Sequence, residues 1–453
     1  MVYRVRDYGA AGNGVNKDTA AVQAAINDCG KAGGGTVLLD EGRFVCGTLY
    51  LRSGVELHIE ASAVLAASGD TADYPDDTHH NRYVNESEMD RCFIYAQDGK
   101  NISLSGNGMI DGNAQSFTGT GCRPMMIRFL RCHHIRLENL RLYHAASWTT
   151  AILDSTCIHV NDLDIFNCTN YNGDSLNFDG CSHVFVSGCR MNGTDDNLCL
   201  QSSSKEYPVE NVHITNCTFT SVCAGIRIGL KSIGIIRDVV ITNCTFRNVW
   251  REGIKIECTE GGSITDISMS NMVMRNVRRP LFILLNNRLD TIGSSVGLTE
   301  MPEIGTLERI RVQGLIAVDD GEMEKTHLRF GDDEMGSPRF AGIRVDAATS
   351  HPVRQLVLQD IMYTFIGGVC SDDIPADYPA VVDRCLPHEG PVSENYFPDW
   401  SRTAFADIRN VKDLFLDNIQ LYLIRPDERP PVLTNGCTGK FVNKVRLSNG
   451  GYV

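Results

Sequence analysis

The 453-residue chain has no run of about 18 apolar residues, which excludes a helical membrane span of ordinary length. Positive charge is in the minority. With 42 Lys and Arg against 56 Asp and Glu the formal charge is −14, which argues against a broad nucleic-acid-binding surface and against docking to anionic membranes. An anionic ligand would need a local basic pocket. Tight metal-ligand spacing is missing as well. Of 17 cysteines, Cys181, Cys189, Cys217 and Cys244 recur at similar places in successive repeats, so they read as small apolar fillers in a reducing compartment. Neither a metal nor a cofactor is expected. The opening MVYRVRDYGA carries no apolar signal segment, so the expected location is cytoplasmic.

Helical periodicity is equally scarce. It is clear only near the N-terminus, where Asp18 can N-cap a helix whose Val22, Ala25, Ile26 and Cys29 fall on one face. The GGG at 33–35 ends it before the apolar run Val37–Leu39. The 42 glycines and 15 prolines and the short alternating apolar runs indicate many strands joined by turns.

The strongest regularity lies between 130 and 290. HIRLENLRL, CIHVNDLDI, HVFVSGCRM, NVHITNCTF, DVVITNCTF and DISMSNMVM align so that Asn139, Asp162, Gly188, Asn216, Asn243 and Asn271 are equivalent. The steps are 23, 26, 28, 27 and 28 residues. A period in the twenties, with two or three strands and a polar turn per repeat, predicts an all-β parallel β-helix with an N-terminal capping helix. Asn suits such turns because its side chain bonds nearby backbone and can stack on the next Asn. The expectation is one domain over 1–453, with 1–60 as the cap and first strands and 130–290 as the central rungs. Segments 287–305, 321–340 and 365–402 break the period and read as loop excursions, the last holding Trp400.

In such strands alternate residues point into the stack. Leu176 and Phe178, Leu198 and Leu200, Ile226 and Ile228, and Ile254 and Ile256 form the inward set. Asn177, Cys199, Arg227 and Lys255 then make one outward row, with Asp179, Gln201, Gly229 and Glu257 beside it. Asp174 and Asp195, with Asp196 alongside, fall at the entries of neighbouring rungs. Three carboxylates so close cannot all ionise normally, so one should be raised enough to act as an acid.

At these residues the chain resembles glycoside hydrolase family 28, the polygalacturonase and rhamnogalacturonan hydrolase group. DYGAAGNG, GGGTVLL, GTLYLRSGVELHIEASAVL, GNGMIDG and the Trp of AASWTTAI match that family's landmarks. The resemblance implies a right-handed, single-stranded β-helix. Its Asn-x-Asp motif falls on Asn172, Gly173 and Asp174, and its Asp pair on Asp195 and Asp196. Carried over, Asp195 is the general acid, while Asp174 and Asp196 activate water for an inverting hydrolysis. The family's Gly-His-Gly falls on Cys223, Ala224 and Gly225, so its histidine is absent. Its Arg-Ile-Lys falls on Lys255, Ile256 and Glu257, and the Lys after its Asp pair on Gln201. The resemblance assigns those basic groups to a galacturonate carboxylate, so their replacement implies either another sugar preference or a carboxylate site rearranged onto Arg227, Lys231, Lys255 or Arg251. Asn172, Asn177, Gln201, Arg227, Lys255 and Glu257 are the candidate substrate contacts.

The expected function is an exo-acting inverting O-glycosidase on pectin-derived or related oligosaccharides, without nucleic-acid or membrane partners. Two alternatives stay open. One is a β-helix polysaccharide lyase, whose acids hold calcium while a base abstracts a proton. The other is a non-catalytic carbohydrate-binding solenoid.

Overall fold

A computed structural model describes residues 1–78, 87–119, 121–287, 300, 302–322, 342–374, 376 and 401–448. Most of the three excursions, Trp400 included, lies outside those residues. The chain forms two compact units, Met1–Cys199 with Val209–Cys217, and Leu200–Pro208 with Thr218–Val453. Each is a stack of parallel strands, and the fold is a parallel β-helix.

In the first unit the rungs have three faces. On one, Cys92–Gln97, Met125–Leu130, Thr150–Leu153 and Leu176–Asp179 pair in parallel. On the second, Lys100–Gly106, His133–Glu138, Thr156–Asn161, Ser182–Ser187 and Val209–Thr215 do the same. Met109–Asp111, Arg141–Tyr143, Asp164–Asn167 and Arg190–Gly193 make the third. Register fixes which residues meet. Leu104, Leu137, Val160, Val186 and Ile214 form one unbroken column, each at most 1% exposed. Each such side chain contributes about 1.5–3 kcal/mol by leaving water.

The equivalent turn positions found in the sequence share one backbone conformation. Asn139, Asp162, Gly188 and Asn216 have φ of 59°, 52°, 70° and 55°. This left-handed region costs most residues about 1–2 kcal/mol and Asn, Asp or Gly least, which explains the composition of the column. Gly188 is also forced by packing, because a Cβ there would sit 2.2 Å from Oδ1 of Asp162. The buried Cys189 and Cys217 donate their thiols to the carbonyls of Ser187 and Thr215, at 3.4 and 3.2 Å.

The helix spans Thr19–Lys31 and buries Val22, Ala25, Ile26 and Cys29 as expected. It packs on the strands Val2–Arg4, Gly35–Leu39, Leu49–Tyr50 and Val55–Ile59, covering the first rungs of this unit. Asp18 does occupy the N-cap position, but its carboxylate caps nothing. It accepts instead from the backbone N–H of Ala11 and Gly12 at 2.6 and 3.1 Å, tying down the preceding loop.

The second unit repeats the pattern with longer strands. Ser263–Leu285 runs through two corners and pairs with Thr245–Cys258, Thr306–Asp319 and Ile343–Ala347. Asn243 and Asn271 again adopt φ of 56° and 53°, and Nδ2 of Asn271 donates to Oδ1 of Asn243 at 3.3 Å.

Candidate active site

The three aspartates belong to the first unit, at the corner between the third face and the first. Two buried amides build the platform beneath Asp174. Asn167 donates from Nδ2 to the Ser147 carbonyl at 2.6 Å and to Oγ1 of Thr149 at 3.1 Å, while the Thr149 N–H donates to the Asp174 carbonyl at 2.9 Å. Asn177, 2% exposed, donates from Nδ2 to the Thr150 carbonyl at 3.2 Å, while its buried Oδ1 accepts no hydrogen bond among the described residues. The Gly of the Asn-Gly-Asp segment has a steric cause. A Cβ on Gly173 would lie 2.3 Å from Oγ1 of Thr194 and 2.4 Å from the Asn167 carbonyl, so no other residue allows the two rungs this approach. Thr194 uses the contact, accepting from the Gly173 N–H at 3.0 Å.

The Leu176 N–H donates to the Asn197 carbonyl at 2.8 Å, which in a parallel pair sets Leu176 level with Leu198. Asp196, two residues before Leu198, therefore stands level with Asp174, two before Leu176. The sequence reading had matched Asp195 to Asp174; Asp195 sits one residue further out. The environments differ accordingly. Asp174 is 4% exposed, Asp196 is 0% exposed and Asp195 is half-buried. Carboxylate oxygens of Asp195 and Asp196 lie within 4.8 Å of each other, and the Asp196 N–H donates to Oδ1 of Asp195 at 2.9 Å. The Cys199 thiol faces Oδ2 of Asp174 at 3.7 Å. A reachable carboxyl beside two enclosed ones can divide labour, one donating a proton while the others orient and deprotonate water.

Asn172 is held in place from below. It has a φ of 54°, and its Oδ1 accepts from Nη2 of Arg123 at 2.9 Å. Nη1 of the same guanidinium donates to the Tyr171 carbonyl at 2.8 Å, its Cζ lies 3.8 Å from the Tyr171 ring centroid, and Glu88 pairs with it. The sequence reading missed Arg123 and Glu88. Nothing local marks them, because they lie 49 and 84 residues before Asn172.

The second unit carries the charged row. Arg227 stands level with Lys255, and Gly229 with Glu257. The outward row leaves the stack as expected, yet apart from the half-buried Arg227 its side chains are enclosed. Lys255, Glu257 and Gln201 are 2%, 2% and 5% exposed, and in the first unit Asn177, Cys199 and Asp179 are also buried. Buried charges need partners, and here they find them. Oε2 of Glu257 lies 3.2 Å from Nε of Arg227 and 3.5 Å from Nζ of Lys255. On the same strand as Glu257, Glu252 pairs with Arg279 of the next rung at 3.3 Å and with its neighbour Arg251 at 3.6 Å. Burial drives the Arg279 guanidinium down to about 10, with Glu252 opposing the shift.

Residues 33–289 match the family model "Glycosyl hydrolases family 28". The chain belongs to this family. It is similar to a "Probable polygalacturonase" of Vitis vinifera, 26% identical over 304 residues that make up 60% of each chain. It is also similar to an "Exopolygalacturonase" of Cochliobolus carbonum, 21% identical over 58% of this chain and 64% of that one. The matches thus span about three fifths of the length of these two relatives. Among solved structures, the family 28 exopolygalacturonase of Yersinia enterocolitica superposes with a TM-score of 0.72 at 15% identity, covering 100% of this chain and 79% of that one, a likeness of fold.

Proposed function

We propose that this family 28 protein is an inverting, exo-acting O-glycosidase of pectin-derived or related oligosaccharides. The observation that carries the reading is the corner where the half-buried Asp195 adjoins the buried Asp196 and Asp174 on adjacent rungs. Asp195 protonates the glycosidic oxygen, and Asp174 and Asp196 take a proton from the attacking water. Asn177 positions the sugar at this corner; within the second unit, Gln201, Arg227, Lys255 and Glu257 are the proposed substrate contacts. Exo action draws support from the name of the Cochliobolus relative. Sixteen free cysteines among the described residues favour a reducing, cytoplasmic setting, where short oligosaccharides rather than polymer are the available substrates.

Asp195→Asn tests the assignment. On a substrate found by screening defined pectic and neutral oligosaccharides, it should lower kcat by about 10²–10⁴-fold with the fold unchanged. Near-wild-type turnover would remove Asp195 from the acid role.

A further inference from the structure

A second backbone column of left-handed residues starts the second face of the first unit. Asn101, His134, Cys157, His183 and Asn211 have φ of 56°, 58°, 58°, 53° and 55°. In an ordinary strand the adjacent side chains of His133 and His134 would point to opposite sides. The left-handed turn at His134 instead brings both imidazoles together, with ring centroids 4.0 Å apart. Cys157 occupies the equivalent turn one rung on, since His133 pairs with Thr156 and Ile135 with Ile158. Its Sγ lies 3.9 Å from Nε2 of His133. One donor atom from each of the three residues lies within 4.8 Å of the others. His133 and Cys157 are half-buried and His134 is exposed, so the cluster is open to solution.

We infer that His133, His134 and Cys157 form a binding site for a borderline-soft divalent metal of the zinc class, clamping two consecutive rungs. Two imidazoles and a thiolate select Zn²⁺, Co²⁺ or Ni²⁺ over Ca²⁺ and Mg²⁺, which take oxygen ligands. Three protein donors leave a fourth tetrahedral position for water. His183, next in the column, is engaged elsewhere, its Nδ1 meeting Nδ2 of Asn211 at 2.6 Å. Lys100 stands level with His133 on the preceding rung, and the thiolate offsets its charge against the incoming dication. The site lies at the corner between the first and second faces, whereas the aspartates lie between the third and the first. It therefore stands apart from the proposed hydrolysis. The sequence hid it because its third ligand comes 23 residues after the second.

Metal-stripped full-length protein, kept reduced without added thiol, is titrated with Co²⁺. One equivalent should give the thiolate-to-cobalt charge-transfer absorption together with tetrahedral d–d bands. Asn already fills this column at Asn101 and Asn211, so His134→Asn and Cys157→Asn remove donors without changing the turn. Both should lose the bands while folding and hydrolysing normally. Zn²⁺ should raise the thermal midpoint of the wild type and leave that of Cys157→Asn unmoved. Absent cobalt bands in the wild type, or bands and a Zn²⁺ response that persist in Cys157→Asn, would overturn the site.

Discussion

Arg123 and Asn172 are joined by an Nη2–Oδ1 hydrogen bond of 2.9 Å across 49 residues of sequence, and Arg123 is only 4% exposed. The bond fixes the left-handed residue two positions before Asp174. Arg123 is thus a positioning residue, and Arg123→Gln should lower kcat about 10-fold while leaving KM nearly unchanged. Arg123→Lys should restore little, because a lysine cannot reproduce a fork that serves Asn172, Tyr171 and Glu88 at once. A fall in stability with kcat intact would reduce Arg123 to a structural role.

Glu88 gives this cluster a pH dependence. Partial desolvation pushes its carboxyl up, but hydrogen bonds from Arg123 and from the Tyr171 hydroxyl outweigh that, and the net shift is downward. A depressed folded pKa stabilises above the unfolded value, about 4.3, and the contribution is lost as pH falls through the folded value. Wild type should therefore exceed Glu88→Gln in urea-unfolding stability at pH 7, and the gap should close below about pH 4. A gap that widens on acidification would contradict the direction of the shift.

The repeat was legible because its turn residue answers to backbone sterics as well as to side-chain bonding. Any chain that must turn left-handed at one place per rung will show Asn, Asp or Gly there, as Asn139 through Asn271 do. That the aspartates fall on adjacent rungs was legible for a related reason, since they precede inward apolar pairs, but which of Asp195 and Asp196 stands level with Asp174 was settled only by the strand register. Burial of Lys255 and Glu257 was not legible, because alternation tells which way a side chain leaves the strand but not what lies over it. Asp18 shows the same limit. Its cap-like position was readable, but the competing N–H groups of Ala11 and Gly12 depend on a loop conformation that no local pattern encodes.

Asn243 tests the turn column on a surface residue. With φ of 56° and exposure to solvent, Asn243→Ala should destabilise by about 1 kcal/mol, and Asn243→Gly by less. Denaturant unfolding separates this backbone effect from loss of the Asn271 hydrogen bond, which both variants share. Equal costs for Ala and Gly would mean that the side-chain bond dominates.

The hydrolase and lyase chemistries separate on metal dependence and product. Hydrolysis by three carboxylates should persist in excess EDTA with no unsaturated, ultraviolet-absorbing product. Activity lost to EDTA and restored by calcium, with such a product, would move the chain to the lyase class.

On the proposed reading of the site, specificity turns on Glu257. Its Oε2 lies within ion-pair range of both Arg227 and Lys255, so in the free protein it draws on the cations that an acidic sugar would use. A substrate carboxylate arriving there must displace Glu257 and meet its repulsion. Charge-assisted hydrogen bonds contribute about 1.5–3 kcal/mol each, so the loss of one costs roughly 10-fold or more in affinity. Trigalacturonate should therefore be a poor substrate beside oligosaccharides carrying a neutral sugar, such as rhamnose or galactose, at this position. Glu257→Gln keeps the shape and removes the charge, so kcat/KM on trigalacturonate should rise about 10-fold relative to the neutral oligosaccharide. The variant also removes an ionic partner from Arg227 and from the buried Lys255 and should be less stable, which thermal unfolding can follow separately. If trigalacturonate is already the best wild-type substrate, or if Glu257→Gln lowers its kcat/KM more than that of the neutral one, Glu257 assists rather than opposes the acid.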